Sequence, residues 1–62
     1  MSAKKIKELI EYNELQMKVF DDILSRINKE KQPERYRINM CHYEYYKGFK
    51  EALECVLYGE EQ

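Results

Sequence analysis

Glycine, proline and tryptophan are scarce in this sequence, which has two, one and none of them among its 62 residues. Folds made of many short strands need glycine and proline at their turns, and phosphate-binding loops need clustered glycines. Both are therefore excluded. The residues that are present are 44% hydrophobic and 37% charged, a mixture typical of long amphipathic helices. The composition predicts an all-α fold.

Long apolar segments are also missing. No run approaches the ~18 residues of a membrane-spanning helix, and no signal-peptide pattern opens the chain. Eleven basic and twelve acidic residues give a net charge of −1, so electrostatics alone favour no polyanionic partner. We expect a cytoplasmic protein that does not bind membranes.

The sequence contains no set of catalytic side chains whose spacing would bring them together in one site. His42 is the single histidine and follows Cys41, but neighbouring helical side chains point about 100° apart. The spacing fits no zinc motif, so a metal site would need ligands from a second chain. Cys41 and Cys55 on one helix would lie about 21 Å apart, too far for a disulfide. We expect no catalytic residue, no metal, no cofactor and no enzymatic activity.

Two helices and one break organise the chain as a single domain over residues 1–62. Ser2 is a candidate N-cap for a first helix over residues 3–29, which contains neither glycine nor proline. Pro33 predicts a turn over residues 30–33, and a second helix follows over residues 34–58. Gly59 is a candidate C-terminal cap, with a short tail over residues 59–62. So short a connection predicts an antiparallel two-helix hairpin.

The apolar residues of helix 1 follow alternating steps of four and three, as in a coiled coil. This seam consists of Ile6, Ile10, Met17, Phe20, Leu24 and Ile27, with Asn13 in its one gap. Leu9, Val19 and Ile23 widen it. Asn13 has two interpretations: a polar seam residue that specifies register, or an edge residue with a solvated amide.

On helix 2 we assign the core face to Ile38, Tyr45, Phe49, Leu53 and Val56, joined at its edges by His42, Tyr46 and Leu57. The apolar bands of both helices are broader than one hairpin covers, which predicts a homodimeric four-helix bundle. The residues expected at the oligomer interface are Asn13, Phe20, Leu24, Tyr45, Gly48, Phe49, Ala52 and Leu53.

Gly48 interrupts a strong helical segment, although a central glycine costs a helix about 1 kcal/mol. It belongs to a row of mostly small residues on one flank of the core face: Cys41, Gly48, Ala52, Cys55 and Gly59. We expect this row to admit a close helix contact. The alternative is an exposed glycine that the helix tolerates.

On the assumed outside of helix 2 lie Tyr36, Met40, Tyr43 and Tyr58. Tyrosine and methionine are suited to protein interfaces, so we expect these four residues to bind another protein or a second protomer. The alternative is that scattered exposed tyrosines have no role.

Nucleic-acid binding is the second functional hypothesis. Basic side chains alternate with tyrosines on helix 2 and could contact phosphates and stack on bases. They are Arg35, Arg37, Lys47 and Lys50, beside Tyr36, Tyr43 and Tyr46. Acidic neighbours such as Glu44 and Glu51 cancel most of their field, so we expect nucleic acid not to be the partner.

The stretch "YYKGFKEALECVLYG", residues 45–59, resembles the second helix of small helical-hairpin proteins from phages and prophages of Gram-positive bacteria. The resemblance implies an accessory factor that inhibits or scaffolds a host protein in the host cytoplasm, and it supplies no functional residues. Another two-helix family, the phosphatases of sporulation regulators, carries a Ser-Gln-Glu-Leu-Asp motif that this chain lacks.

Overall fold

The chain folds into two long helices that lie side by side. A computed structural model describes residues 2–59, with α1 over Ala3–Arg26 and α2 over Pro33–Gly59. Its extents are 47 × 16 × 14 Å. Ile6 and Leu57 pack together near the two chain ends, and Leu24 lies beside Tyr36 near the turn, so the helices are antiparallel. The predicted all-α helical hairpin is confirmed. Within the described residues, neither helix combines the length and apolar character that a membrane span requires.

The first helix begins where the sequence predicts and ends three residues earlier. The Ser2 hydroxyl accepts a hydrogen bond from the Lys5 backbone N–H at 3.2 Å, which makes it the N-cap. At the other end Ile27 is extended, with φ −93° and ψ 132°, and its side chain is buried. The Asn28 carboxamide oxygen accepts hydrogen bonds from the next turn, which compete with continuation of the helix.

The second helix begins at Pro33 and includes Gly59 as its last described residue. Proline suits the first helical position because its missing N–H would have no intrahelical partner there. Gly59 does not have a positive φ, so it is not the left-handed cap that we expected. Residues 60–62 of the predicted tail lie outside the described residues.

The seam predicted on α1 faces α2. Ile6, Ile10 and Ile27 are buried, and Met17, Phe20 and Leu24 are half-buried. Asn13 is 3% exposed, and its side-chain N–H donates to the Leu9 carbonyl at 2.7 Å. The interpretation of Asn13 as a solvated edge residue is therefore wrong, since it lies inside the hairpin.

The face of α2 that packs on α1 differs from the predicted one. Its more buried side chains form a row spaced by three and four residues: Tyr36, Met40, Tyr43, Tyr46, Lys50, Leu53 and Leu57. Most of the predicted core face is exposed instead, at Ile38, Tyr45, Phe49 and Val56. Leu53 alone of that set, apart from its edge residues, packs against the core.

Both sides of α2 carry apolar residues, so its own periodicity does not determine which side meets α1. The contact of Leu57 with Ile6 and Ile10 sets the rotation. With Leu57 inward, Leu53 four positions before it also turns inward, whereas Val56, about 100° around the helix from Leu57, turns outward. Tyr36, Met40 and Tyr43, which we expected outside, therefore lie against α1.

Candidate protein-binding face

One side of the hairpin exposes large apolar side chains from both helices. Tyr45 is 64% exposed, Tyr12 53% and Phe49 43%. We define the open face as this side of the molecule, formed on α1 by Leu9, Tyr12, Val19 and Ile23 and on α2 by Ile38, Tyr45, Phe49 and Val56. An exposed apolar patch of this kind often marks an interaction site.

Aromatic contacts join the two helices at the centre of the open face. Tyr46 lies between the helices, with its ring centroid 6.5 Å from that of Tyr12 and 5.8 Å from that of Phe20. Tyr45 meets Tyr46 edge to face at 5.2 Å and lies 6.4 Å from Phe49. The rings therefore support one another from the interior outward, so the exposed aromatics rest on an ordered layer.

A shallow depression of about 240 Å³ lies beside these rings. Leu9 and Tyr12 line it from α1, and Tyr45 and Phe49 line it from α2. Asn13 also contributes to the lining. The two helices thus present a continuous apolar surface with a recess in its middle.

On the open face, each helix carries a second row of residues at coiled-coil spacing, which we call its second seam. On α1 the series runs through Leu9, Tyr12, Gln16, Val19 and Ile23; on α2 it runs through Ile38, His42, Tyr45, Phe49, Ala52 and Val56. These steps of three and four keep each row on one side of its helix. No position of either row is a carboxylate, a lysine or an arginine.

An ion pair between α1 and α2 lies on the side of the hairpin away from the open face. The Lys50 ammonium is 3.9 Å from the Glu14 carboxylate, and both residues line a cleft with Lys18 and Asp21. Such a partly exposed pair contributes little to stability, but its position leaves the open face without strong local charge.

The predicted oligomer-interface residues separate into three groups. Tyr45 and Phe49 belong to the open face. Asn13, Phe20, Leu24 and Leu53 are at least half-buried within the hairpin, between α1 and α2 and not on the open face. Gly48 and Ala52 are exposed on α2, Ala52 within the second seam of the open face. A Cβ atom added at Gly48 would meet no atom within 4 Å, so no close helix contact exists there within the chain.

The predicted partner-binding residues do not form one exposed stripe. Tyr36, Met40 and Tyr43 are half-buried against α1, and Tyr58 is exposed near the end of α2. Tyr36 and Met40 still line an open groove of about 570 Å³ near the turn. The Lys29 ammonium lies 5.4 Å from the centre of the Tyr36 ring at one side of this groove.

The Cys41–His42 pair offers no catalytic geometry. The His42 ring stacks on Phe20 at 5.2 Å, whereas Cys41 is an exposed free thiol at the edge of the groove near the turn. Within residues 2–59, no three histidine, cysteine, aspartate or glutamate side chains are grouped closely enough to hold a metal ion.

The sequence prediction missed Tyr12 and Leu15, which are both more than half exposed on α1. Tyr12 could have been recognised because it completes the second seam on α1, between Leu9 and Val19. Leu15 lies outside both seams, and its spacing carries no comparable signal.

Comparisons of the sequence and the fold with protein-family models, curated proteins and solved structures find no match.

Proposed function

We propose that this chain is a non-enzymatic protein-binding module, and that the open face is where it binds. The observation that carries the proposal is the exposure of Tyr12, Tyr45 and Phe49 on one side of the hairpin. Aromatic side chains are enriched at protein interfaces because they combine large contact area with few rotatable bonds. Their burial by a protein partner would remove this apolar surface from water.

The apolar area available supports a specific interface. The six exposed large apolar side chains of the open face leave roughly 400 Å² of apolar surface in water, by ordinary side-chain areas. One side of a standard protein interface buries ~800 Å², of which somewhat more than half is apolar. The two apolar areas are therefore similar.

Binding of a host protein by a phage-type accessory factor is the biological setting that the resemblance of residues 45–59 suggests. Inhibition or scaffolding requires only a stable surface, and the open face of the hairpin offers one. Cytoplasmic action would follow from this setting.

Nucleic-acid binding has less support. Tyr43 and Tyr46 are half-buried beside α1, so their rings are not free to stack on bases. Lys50 is paired with Glu14, which reduces its availability for phosphate. No arrangement of the remaining basic residues favours this alternative.

Site-specific photo-crosslinking in cells tests the proposal. A photoreactive phenylalanine analogue is placed at Tyr45 in the full chain, and a matched variant carries it at Tyr58, an exposed tyrosine outside the open face. We expect a defined protein adduct from position 45 and much less adduct from position 58. Absence of any protein adduct at position 45, or equal adducts at both positions, would contradict the proposal.

A further inference from the structure

We propose that the protein covering the open face is a second copy of this chain, related by a two-fold axis in a four-helix bundle. This inference rests on the proposed function, because it names the partner of the same face. Four observations carry it: the surface area of the single chain, its small core, the second seam on each helix, and the absence of charged residues from those seams.

The single chain has more surface than its mass requires. Its accessible surface is 5022 Å², whereas a compact monomer of 7.6 kDa has about 4300 Å² by the usual scaling with mass. The excess of roughly 700 Å² is close to the ~800 Å² that each partner contributes to a standard interface. Burial of one such interface would thus reduce the accessible surface per chain to about that of a compact monomer of this mass.

The core of the single chain is correspondingly small. Among the described residues, the buried hydrophobic side chains are Ile6, Ile10, Ile27 and Leu57. Chains of this length seldom obtain more than ~3–5 kcal/mol from one core, and many small folds gain the rest by association. A second copy would add a core layer between the two hairpins, with Tyr45 and Phe49 inside it.

The geometry of the open face suits packing against a second hairpin with the same two seams. Each helix already uses one seam inside the hairpin, and each carries a second seam on the open face. Every helix of a four-helix bundle needs contacts with two neighbours, so a hairpin with one free seam on each helix is half of such a bundle. The surface that complements this half is another hairpin with the same two free seams.

The absence of charge makes the open face compatible with its own copy. A two-fold interface places a surface patch against the same patch, so charges near the axis would face like charges. No lysine, arginine, aspartate or glutamate occupies either exposed seam. His42 is the only titratable nitrogen in these rows, and its ring is stacked on Phe20.

Molar mass in solution, measured by light scattering over a range of concentrations, tests this inference. We expect a mass twice the 7.6 kDa of the chain at high concentration, falling toward the single-chain mass on dilution. Phe49→Glu should weaken dimerisation at least a hundredfold, because each interface would then bury two unpaired carboxylates. Tyr58→Glu is the matched control, since it introduces the same charge at an exposed aromatic outside the open face, and it should dimerise as the unmodified protein does.

Circular dichroism of each variant shows whether a loss of dimer comes from the lost contact or from unfolding of the helices. Phe49 is partly exposed in the hairpin, so its replacement should preserve helicity, and Val56→Glu serves as the second variant if it does not. A chain that stays monomeric at millimolar concentration, any stoichiometry other than two, or a dimer unaffected by both open-face variants would overturn the inference. A monomer that still forms a photo-adduct with another protein at Tyr45 would overturn self-association alone. A chain without any protein adduct would overturn the proposed function as well.

Discussion

Tyr45 and Tyr46 are adjacent in sequence and in edge-to-face contact at 5.2 Å, yet they belong to different surfaces. Tyr46 packs on Phe20 of α1, whereas Tyr45 is 64% exposed. One ring therefore contributes to the hairpin and the other to the open face. Because the inner ring supports the outer one, folding of the hairpin orders the surface that we propose for binding.

Replacement of Gly48 by alanine should stabilise the protein. A Cβ atom at this position meets open space, and alanine in a helix interior is favoured over glycine by roughly 0.5–1 kcal/mol. The free energy of unfolding from urea titration measures the change. Gly59→Ala, which also has open space but lies at the helix end, should have a smaller effect. Dissociation of the proposed dimer by Gly48→Ala would show instead that a second backbone approaches Gly48 in the assembly.

Leu57 and Val56 are neighbours that should differ in their effect on stability. Leu57 is 4% exposed and packs on Ile6 and Ile10, so Leu57→Ala should lower the free energy of unfolding by about 2–4 kcal/mol. Val56→Ala should cost less than half as much in dilute solution, because Val56 is exposed in the single chain.

Thermal melts of both variants over a range of protein concentrations measure this difference. The cost of Val56→Ala should grow with concentration, since the proposed dimer would cover that valine. Equal costs for the two variants at every concentration would contradict the assignment of the inner face of α2.

Asn28 should stabilise the turn through its side chain. Its carboxamide oxygen accepts hydrogen bonds from the backbone N–H groups of Glu30 at 3.0 Å and Lys31 at 3.1 Å. Asn28→Ala should therefore lower the free energy of unfolding by about 1 kcal/mol, as measured in urea. Asn28→Asp keeps an acceptor oxygen and should retain most of the stability. No loss in Asn28→Ala would mean that these hydrogen bonds contribute nothing to the turn.

The sequence predicted α1 better than α2 for a physical reason. The inner seam of α1, from Ile6 to Ile27, is the regular one, and burial follows it closely. In α2 the row with Tyr43 and Leu57 competes with the row containing Tyr45 and Phe49, and both have helical spacing. Tertiary contact with α1 decides between them, so single-helix periodicity could not predict the inner face.

The site was predicted only in part for the same reason. Tyr45 and Phe49 were assigned to an oligomer interface together with residues of the hairpin interior, because inner and outer seams were not distinguished. The early end of α1 has a different origin, since the Asn28 side chain competes locally with the helical backbone. Propensity alone favoured a helix through Lys29.

Hydroxyl-radical footprinting of the full chain, read residue by residue with mass spectrometry, tests most directly whether the open face is covered in solution. The same radical dose is applied to dilute and to concentrated protein. We expect oxidation of Tyr45 and Phe49 to fall severalfold as concentration rises, while oxidation of Tyr58 stays constant. Equal oxidation of Tyr45 and Phe49 at all concentrations would show that no second copy covers the open face, and would contradict the account.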